Sequence, residues 1–491
     1  AVENLKELSA LGLEGKWGYY EAIDFTPSRL MKGNQHHIVK SFMAHHQGMC
    51  MAALNNFFNE NVLRERFHAN PFIRSAELLL QEKIPEKVLY TKEFKDDRPI
   101  HSKKADQPDG MTVRTFGLPS VIPPSVHILS NGLYSVMITD GGSGYSMNGD
   151  MAVTRWSADS FEKSGFYIFI QNINSNTGWP ATYDPTRVEP DKYKVTFSPY
   201  KAEFVRKDSN LESHLEVAVS PEDNAEIRKV SITNHSENVR IVEITSYFEP
   251  VLAARHEDAS HPAFSKLFVE VEYNEEQMCL IASRRCRSQE QILQWLVHTM
   301  ALESGLQDNG LILGDLQYEI GRLKFIGRNR DISNPEALEP DQPLSNGAGG
   351  SAPDPIASLR RRIKIEPGQT IRVVYSIGVA PTRELAHKLA EKYNDYRISE
   401  RVFELAWTRS QVENRYFGLE SEDIEFYLEL MPLILYKSHF KREYAAFICD
   451  NIHAQQDLWT FGISGDLPII LVEVNDLEDI DMVQWAIKGH E

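Results

Sequence analysis

Cysteine is scarce in this chain: Cys50, Cys279, Cys286 and Cys449 are widely separated, with no CxxC spacing among 491 residues. That is too few for a disulfide scaffold and fits a reducing compartment. Long apolar runs are missing as well. The longest aliphatic stretches, such as Pro468–Val472, fall far short of the roughly 20 residues that cross a bilayer, and no signal peptide opens the chain. Positive charge is in deficit, with 52 Lys and Arg against 70 Asp and Glu and a formal charge of −18. Such a surface repels phosphate backbones and argues against a nucleic-acid partner. Short basic runs such as Arg360-Arg361-Arg362 read as a solvated strand edge. Low complexity is absent too: 42% hydrophobic and 25% charged residues, with 24 Pro and 28 Gly, is globular composition. The length allows two to four domains. A start at Ala1 and an end at Gly489-His490-Glu491, just after a helical pattern, are expected of a piece of something longer.

Hydrophobic periodicity divides the chain. Residues 1–93 read as helical, with Ile38, Phe42, His45, Met49, Ala52 and Ala53 at spacings of three and four. Asn61–Lys83 repeats the pattern through Val62, Phe67, Ile73, Leu78 and Leu79, and Pro85 lies near its end. Residues 94–111 are charged, Pro-bearing and aperiodic, as a linker is. From 112 to 381 the period becomes two: Leu215, Val217 and Val219 alternate with polar residues, as do Ile371, Val373, Tyr375, Ile377 and Val379. Val230–Thr233, the turn Asn234–Asn238 and Val239–Ile244 predict a hairpin. So many strands imply a large antiparallel β-sandwich, with the Gly/Pro-rich stretch Pro343–Pro355 as an exposed loop. Residues 382–491 return to the helical period, first at Thr382–Lys392 and again at Ser421–Lys437, interrupted by Pro432. The expected class is multidomain α+β.

Several motifs in one order resemble the cyclic β-1,2-glucan synthase family. Gly18-Tyr-Tyr-Glu-Ala-Ile-Asp-Phe-Thr-Pro-Ser-Arg29, Met43-Ala-His-His-Gln-Gly-Met49, Arg66-Phe-His-Ala-Asn-Pro71 and Glu77–Glu82 are similar to the last part of that family's glycoamylase-like helical barrel. Leu129-Ser-Asn-Gly132, Gly142-Ser-Gly-Tyr145, Thr154-Arg-Trp156, His261–Phe268 and Gly462–Pro468 resemble the N-terminal region of a family 94 glycoside phosphorylase. The resemblance implies an end-piece of an (α/α) barrel, a β-sandwich, and a connector to an (α/α)6 barrel that follows residue 491. It implies a bacterial enzyme at the cytoplasmic side of the inner membrane, with no span in this segment. One module closes β-1,2-glucan into a ring by transglycosylation, and another trims it by inverting phosphorolysis. Inorganic phosphate is the expected co-substrate, β-glucan and the rest of the parent chain are the expected partners, and no cofactor is implied. The phosphorylase general acid is expected downstream, and the isolated segment is expected to be inactive. A β-glucan phosphorylase of another linkage and a non-catalytic carbohydrate-binding or spacer module remain as alternatives.

Reactions at an anomeric carbon need a proton donor and a second group that acts as nucleophile or base. In the first motif Glu21 and Asp24 are the candidate carboxylates, or Glu21 merely caps the next segment. Trp17 and Tyr20 suit stacking on pyranose rings and would raise a carboxyl pKa by excluding water. His36-His37 and His45-His46 lack zinc-ligand spacing, so no metal is assigned. His46 and Gln47 suit hydrogen bonds to glucan hydroxyls. The loop Gly141–Tyr145 lacks the lysine and following helix of a nucleotide site. Tyr145, Asn148, Asp150, Arg155 and Trp156 form a candidate polar-aromatic sugar contact, or satisfy one another at strand ends. Asp466 reads as a turn or capping residue between Gly462 and Gly465.

Overall fold

A computed structural model describes residues 2–25, 35–70, 73 and 113–490, apart from 120–122, 159–162, 286–292, 304–305, 307–308, 341, 348–351, 419–420, 437–444, 466–468, 470 and 477–479. The chain forms two compact units, Ala1–Pro85 and Glu86–Glu491. The expected linker 94–111, most of the helical pattern beyond residue 70, and Asp466 lie outside the described residues.

The first unit is less helical than its periodicity predicts. Helices span Val2–Ala10, Ala44–Phe58 and Val62–His68, and four short strands intervene. Glu14–Gly15 pairs with Gly18–Tyr19, and Ala22–Asp24 with His37–Val39. Gly15 permits the first hairpin, because a Cβ there would meet the Tyr20 ring at 2.5 Å. Ile38 therefore sits on a strand and Phe42 ahead of a helix, so the spacing of three and four they share with His45 and Met49 is not one helical face.

In the second unit every described strand pairing is antiparallel. The nine-stranded sheet runs, edge to edge, Val269–Asn274, Cys279–Arg284, Trp295–Leu302, Thr370–Ala380, Ala225–Asn234, Leu211–Val219, Lys201–Asp208, Lys192–Ser198 and Arg114–Phe116. A five-stranded sheet runs Thr177–Pro180, Tyr167–Asn172, Arg240–Tyr247, Pro355–Ile365 and Ile312–Gly321. A second one runs Pro250–Ala254, Met151–Thr154, Gly144–Asn148, Tyr134–Thr139 and Val126–Ser130. All three feed one apolar core, with Val136 and Val153 from the last sheet, Ile168, Ile244 and Ile363 from the middle one, and Leu215, Val230 and Tyr375 from the largest. The other face of the large sheet is covered by helices Arg383–Tyr393 and Arg397–Phe417. Ala386 and Ala390 pack on Ile281 and Val297, and Tyr393 and Val402 on Ile227 and Val374. The first of these helices starts on Thr382, whose hydroxyl accepts the Leu385 N–H. Among the described residues no helix is long and apolar enough to cross a membrane.

Three expectations are corrected here. The segments around Val230 and Ile244 are not a hairpin. Val230 pairs with Leu215 and Val373 in the large sheet, whereas Ile244 pairs with Ile170 and Arg361 in a five-stranded one, so Asn234–Asn238 carries the chain between layers. Arg360–Arg362 is no sheet edge, because its strand lies between two others. Arg360 is 1% exposed and donates to Thr245 Oγ1 (2.8 Å) and to the Gln342 and Ala337 carbonyls (2.9 and 2.5 Å). Glu243 lies 3.4 Å away as its counter-charge. The Pro343–Pro355 loop is anchored rather than wholly exposed, because Leu344 is buried against Tyr167, Phe325 and Ile356.

Candidate functional site

In the first unit the strand pairing that brings His37 opposite Asp24 also returns the chain to Glu21, whose N–H donates to the Ser41 carbonyl (3.0 Å). Met43, just ahead of the helix Ala44–Phe58, donates its N–H to Glu21 Oε2 (3.2 Å), and His46 Nδ1 contacts Glu21 Oε1. Two sequence candidates, 25 residues apart, thus meet. The His46 hydrogen bond is the largest effect on the Glu21 pKa; desolvation opposes it, and with the smaller help of the Met43 N–H the value stays below the ordinary carboxylate range. This overturns the expected aromatic elevation. Trp17 is 78% exposed, with the Lys16 ammonium 4.8 Å from its ring, and Tyr20 packs on Phe42 at 5.3 Å. Glu21 is therefore a standing carboxylate, suited to nucleophilic or proton-accepting work and unsuited to act as a resting acid. Asp24 lies three residues on, at the end of the strand Ala22–Asp24 and paired with His37, whereas Glu21 sits in the bend ahead of that strand. Gln47 is exposed on the helix beside His46.

In the second unit the candidates divide. Arg155 is held by Asp258, through Nε–Oδ2 at 2.9 Å and Nη2–Oδ1 at 2.7 Å, and by Glu249 at 2.9 Å. Burial alone would raise the Glu249 pKa. Lys266, Arg155 and Arg322 instead bring it down to about 2, so it stays ionised. Arg155 is thus an anchor between strand and helix, with its donors engaged. Tyr145 and Trp156 lie 5.2 Å apart, with the Arg255 guanidinium 4.9 and 5.0 Å from their rings, and Trp156 meets Tyr436 edge-on at 5.8 Å. They form a packed aromatic cluster with Met137 and Val126 rather than an open stacking platform. Of the five candidates Asp150 alone is exposed, at the turn after Gly149 (φ +56°), and Asn148 is half-buried. Glu249, Arg255, Glu257 and Asp258 were not singled out by sequence, and no spacing links them to Arg155, about a hundred residues away. Among the described residues one metal-like group occurs, Glu203, His214 and Glu216. Lys201 bridges its two glutamates at 2.9 Å and Lys229 lies 2.6 Å from Glu216, so side-chain cations already neutralise it.

Residues 110–396 match the family described as glycosyl hydrolase 94, supersandwich domain. Over its whole length the chain is 34% identical to the cyclic beta-(1,2)-glucan synthase NdvB of Rhizobium meliloti (strain 1021), and it spans 17% of that protein. Solved structures similar to it include a bacterial glucoamylase complexed with acarbose, at 10% identity and TM-score 0.34 over 66% of this chain and 44% of the other. A putative kojibiose phosphorylase from human microbiome aligns at 9% identity and TM-score 0.36 over 63% and 38%. Both structural likenesses are too distant to carry an argument.

Proposed function

The chain belongs to the glycosyl hydrolase 94 supersandwich family, and from that premise we propose that it is a segment of a carbohydrate-active enzyme that builds and trims cyclic β-1,2-glucan. The observation that carries the reading is the 34% identity running through both units to a cyclic β-1,2-glucan synthase. A sandwich serving only as a spacer would not need the preceding unit with its Glu21–His46 contact.

In this reading the first unit takes part in ring closure. Glu21, kept ionised by His46 and the Met43 N–H, acts as nucleophile at the anomeric carbon or accepts the proton of the attacking hydroxyl. A separate acid protonates the leaving oxygen. His46 is a positioning residue that fixes the carboxylate's charge and direction. The sandwich serves the phosphorolytic step, in which inorganic phosphate attacks in place of water while an acid protonates the glycosidic oxygen. No residue of the sandwich is assigned to that proton transfer.

The test is made in the whole parent enzyme. Glu21→Gln keeps the shape and removes the ionisable group, and ring closure should fall at least ~10²-fold while phosphorolysis of linear glucan is kept. His46→Ala should shift the acid limb of the cyclisation pH profile upward, because the carboxylate loses the hydrogen bond that lowers its pKa. Cyclisation unchanged in Glu21→Gln would reduce Glu21 to a structural role.

A further inference from the structure

Beside the turn Gly149–Asp150 lies a pocket of about 360 Å³, a size that accepts a small ligand. Its floor is the strand Pro250–Ala254, which pairs with Met151–Thr154 across a register break between Pro250 and Ala253. Inside that break Leu252 is buried and holds φ +55°, a backbone state that non-glycine residues rarely adopt and that concentrates at functional sites. Arg284 fixes the floor by donating to the Val251 and Ser265 carbonyls at 3.2 and 3.0 Å.

The rim is polar. Asn148, Asp150, Glu257 and Gln294 line it, and none of these side chains is engaged with another described residue. Arg155 and Asp258, on the neighbouring strand and helix, are engaged with each other. Arg285, also at the rim, donates to the Leu267 carbonyl and pairs with Glu270. Asp150 and Glu257, without an ion pair among the described residues, offset the Arg284 and Arg285 charges in the same lining, so no net positive charge favours an anion. A compact cation is disfavoured as well, since no three acidic or histidine ligand atoms converge here among the described residues. A neutral polyol fits: carboxylates accept strong hydrogen bonds from hydroxyls, amides both donate and accept, and Leu252 and Ala253 offer apolar surface to C–H groups.

We propose that this pocket is a glucan-holding subsite of the sandwich, taking one or two glucose units of a β-glucan chain. The choice of glucan rests on the function proposed above; the pocket and its chemistry do not.

Linear β-1,2-glucotetraose titrated into the 491-residue chain should bind in the millimolar range. Asp150→Ala and Glu257→Ala should each weaken binding at least ~10-fold, the loss expected for a hydrogen bond to a charged group. In the unsubstituted chain the sugar should slow hydrogen exchange in Pro250–Ala254, a readout independent of whether either variant folds. Binding unchanged in both variants, without protection of that strand, overturns the subsite, as does failure of every glucan to bind. Cellotetraose binding in place of the β-1,2 probe, lost in the same variants, keeps the subsite and sinks the β-1,2 reading. Ring closure by the whole enzyme with no sugar at this pocket does the reverse.

Discussion

In the helix Ala44–Phe58 no residue is buried, and Met49, Met51, Leu54, Phe57 and Phe58 stand exposed. In Arg383–Tyr393 and Arg397–Phe417, residues Ala386, Ala390, Tyr393, Val402 and Ala406 are buried, most of them packed on the nine-stranded sheet. Both regions carry helix-forming sequence with apolar residues at helical spacing. The difference lies in the surface each helix meets: spacing decides which face is apolar, and only a partner layer converts that face into stability.

The sharpest way to break this comparison is to make one substitution in both units. Phe248 is fully buried, 5.1 Å from the Phe166 ring and 5.0 Å from His298. Phe248→Ala should cost ~3–5 kcal/mol in urea unfolding, by lost transfer energy and a residual cavity.

Acidification comes next. His127 and His298 are fully buried, and desolvation lowers their pKa values to about 3 and about 4. His127 donates from Nε2 to the Ser198 carbonyl (2.8 Å), and His298 from Nδ1 to the Ser376 carbonyl (2.9 Å) while Nε2 accepts from Ser246 (2.8 Å). Both are neutral in the fold. The unfolded chain binds the extra protons from about pH 6.5 downward, so stability is greatest above that pH. It falls as pH drops toward 4, by on the order of 2 kcal/mol for each histidine at pH 5. Urea midpoints at pH 7.5, 6 and 5 should show this slope, and His298→Gln should flatten it. Glu21 in the first unit titrates with the opposite cause: its lowered pKa keeps its contact with His46 until the pH falls below the ordinary carboxylate range.

Thr382→Ala removes a single helix cap and should cost ~1 kcal/mol, read from the same midpoints. Phe57→Ala should be nearly silent, within ~0.5 kcal/mol, because Phe57 is 80% exposed. A large effect at Phe57 would show that the first unit buries this face.

The sequence made strands legible where alternation was strong. Ile371–Val379 is one of them, and the helix that follows from Thr382 was legible from its own period. Partner choice was not legible. Asn234–Asn238 has the composition of a hairpin turn, yet it joins two layers, because alternation marks a buried face without saying which sheet it completes. Arg360 looked exposed because three adjacent charges suggest water. On a strand the middle one turns away from its neighbours, and the first met a buried carboxylate and two carbonyls instead. At the candidate site Glu21 and His46 were both named from sequence, but their contact depends on a strand return that the helical reading had erased. Arg155 and Trp156 were named for residue type, and type does not reveal that their neighbours already engage them.

The strand Thr370–Ala380 is the last of the sandwich in sequence, and it sits between Trp295–Leu302 and Ala225–Asn234 in the middle of the nine-stranded sheet. During synthesis the earlier strands must wait for it. At 5–20 residues per second the ribosome needs roughly 7–30 s to travel from Asn234 to Ala380. Throughout that interval Ala225–Asn234 presents an unpaired apolar edge, the kind of surface on which nascent chains join one another. Any version of this protein that stalls or ends before residue 370 would leave two half-sheets without the strand that joins them, each with an open edge of the kind that favours aggregation.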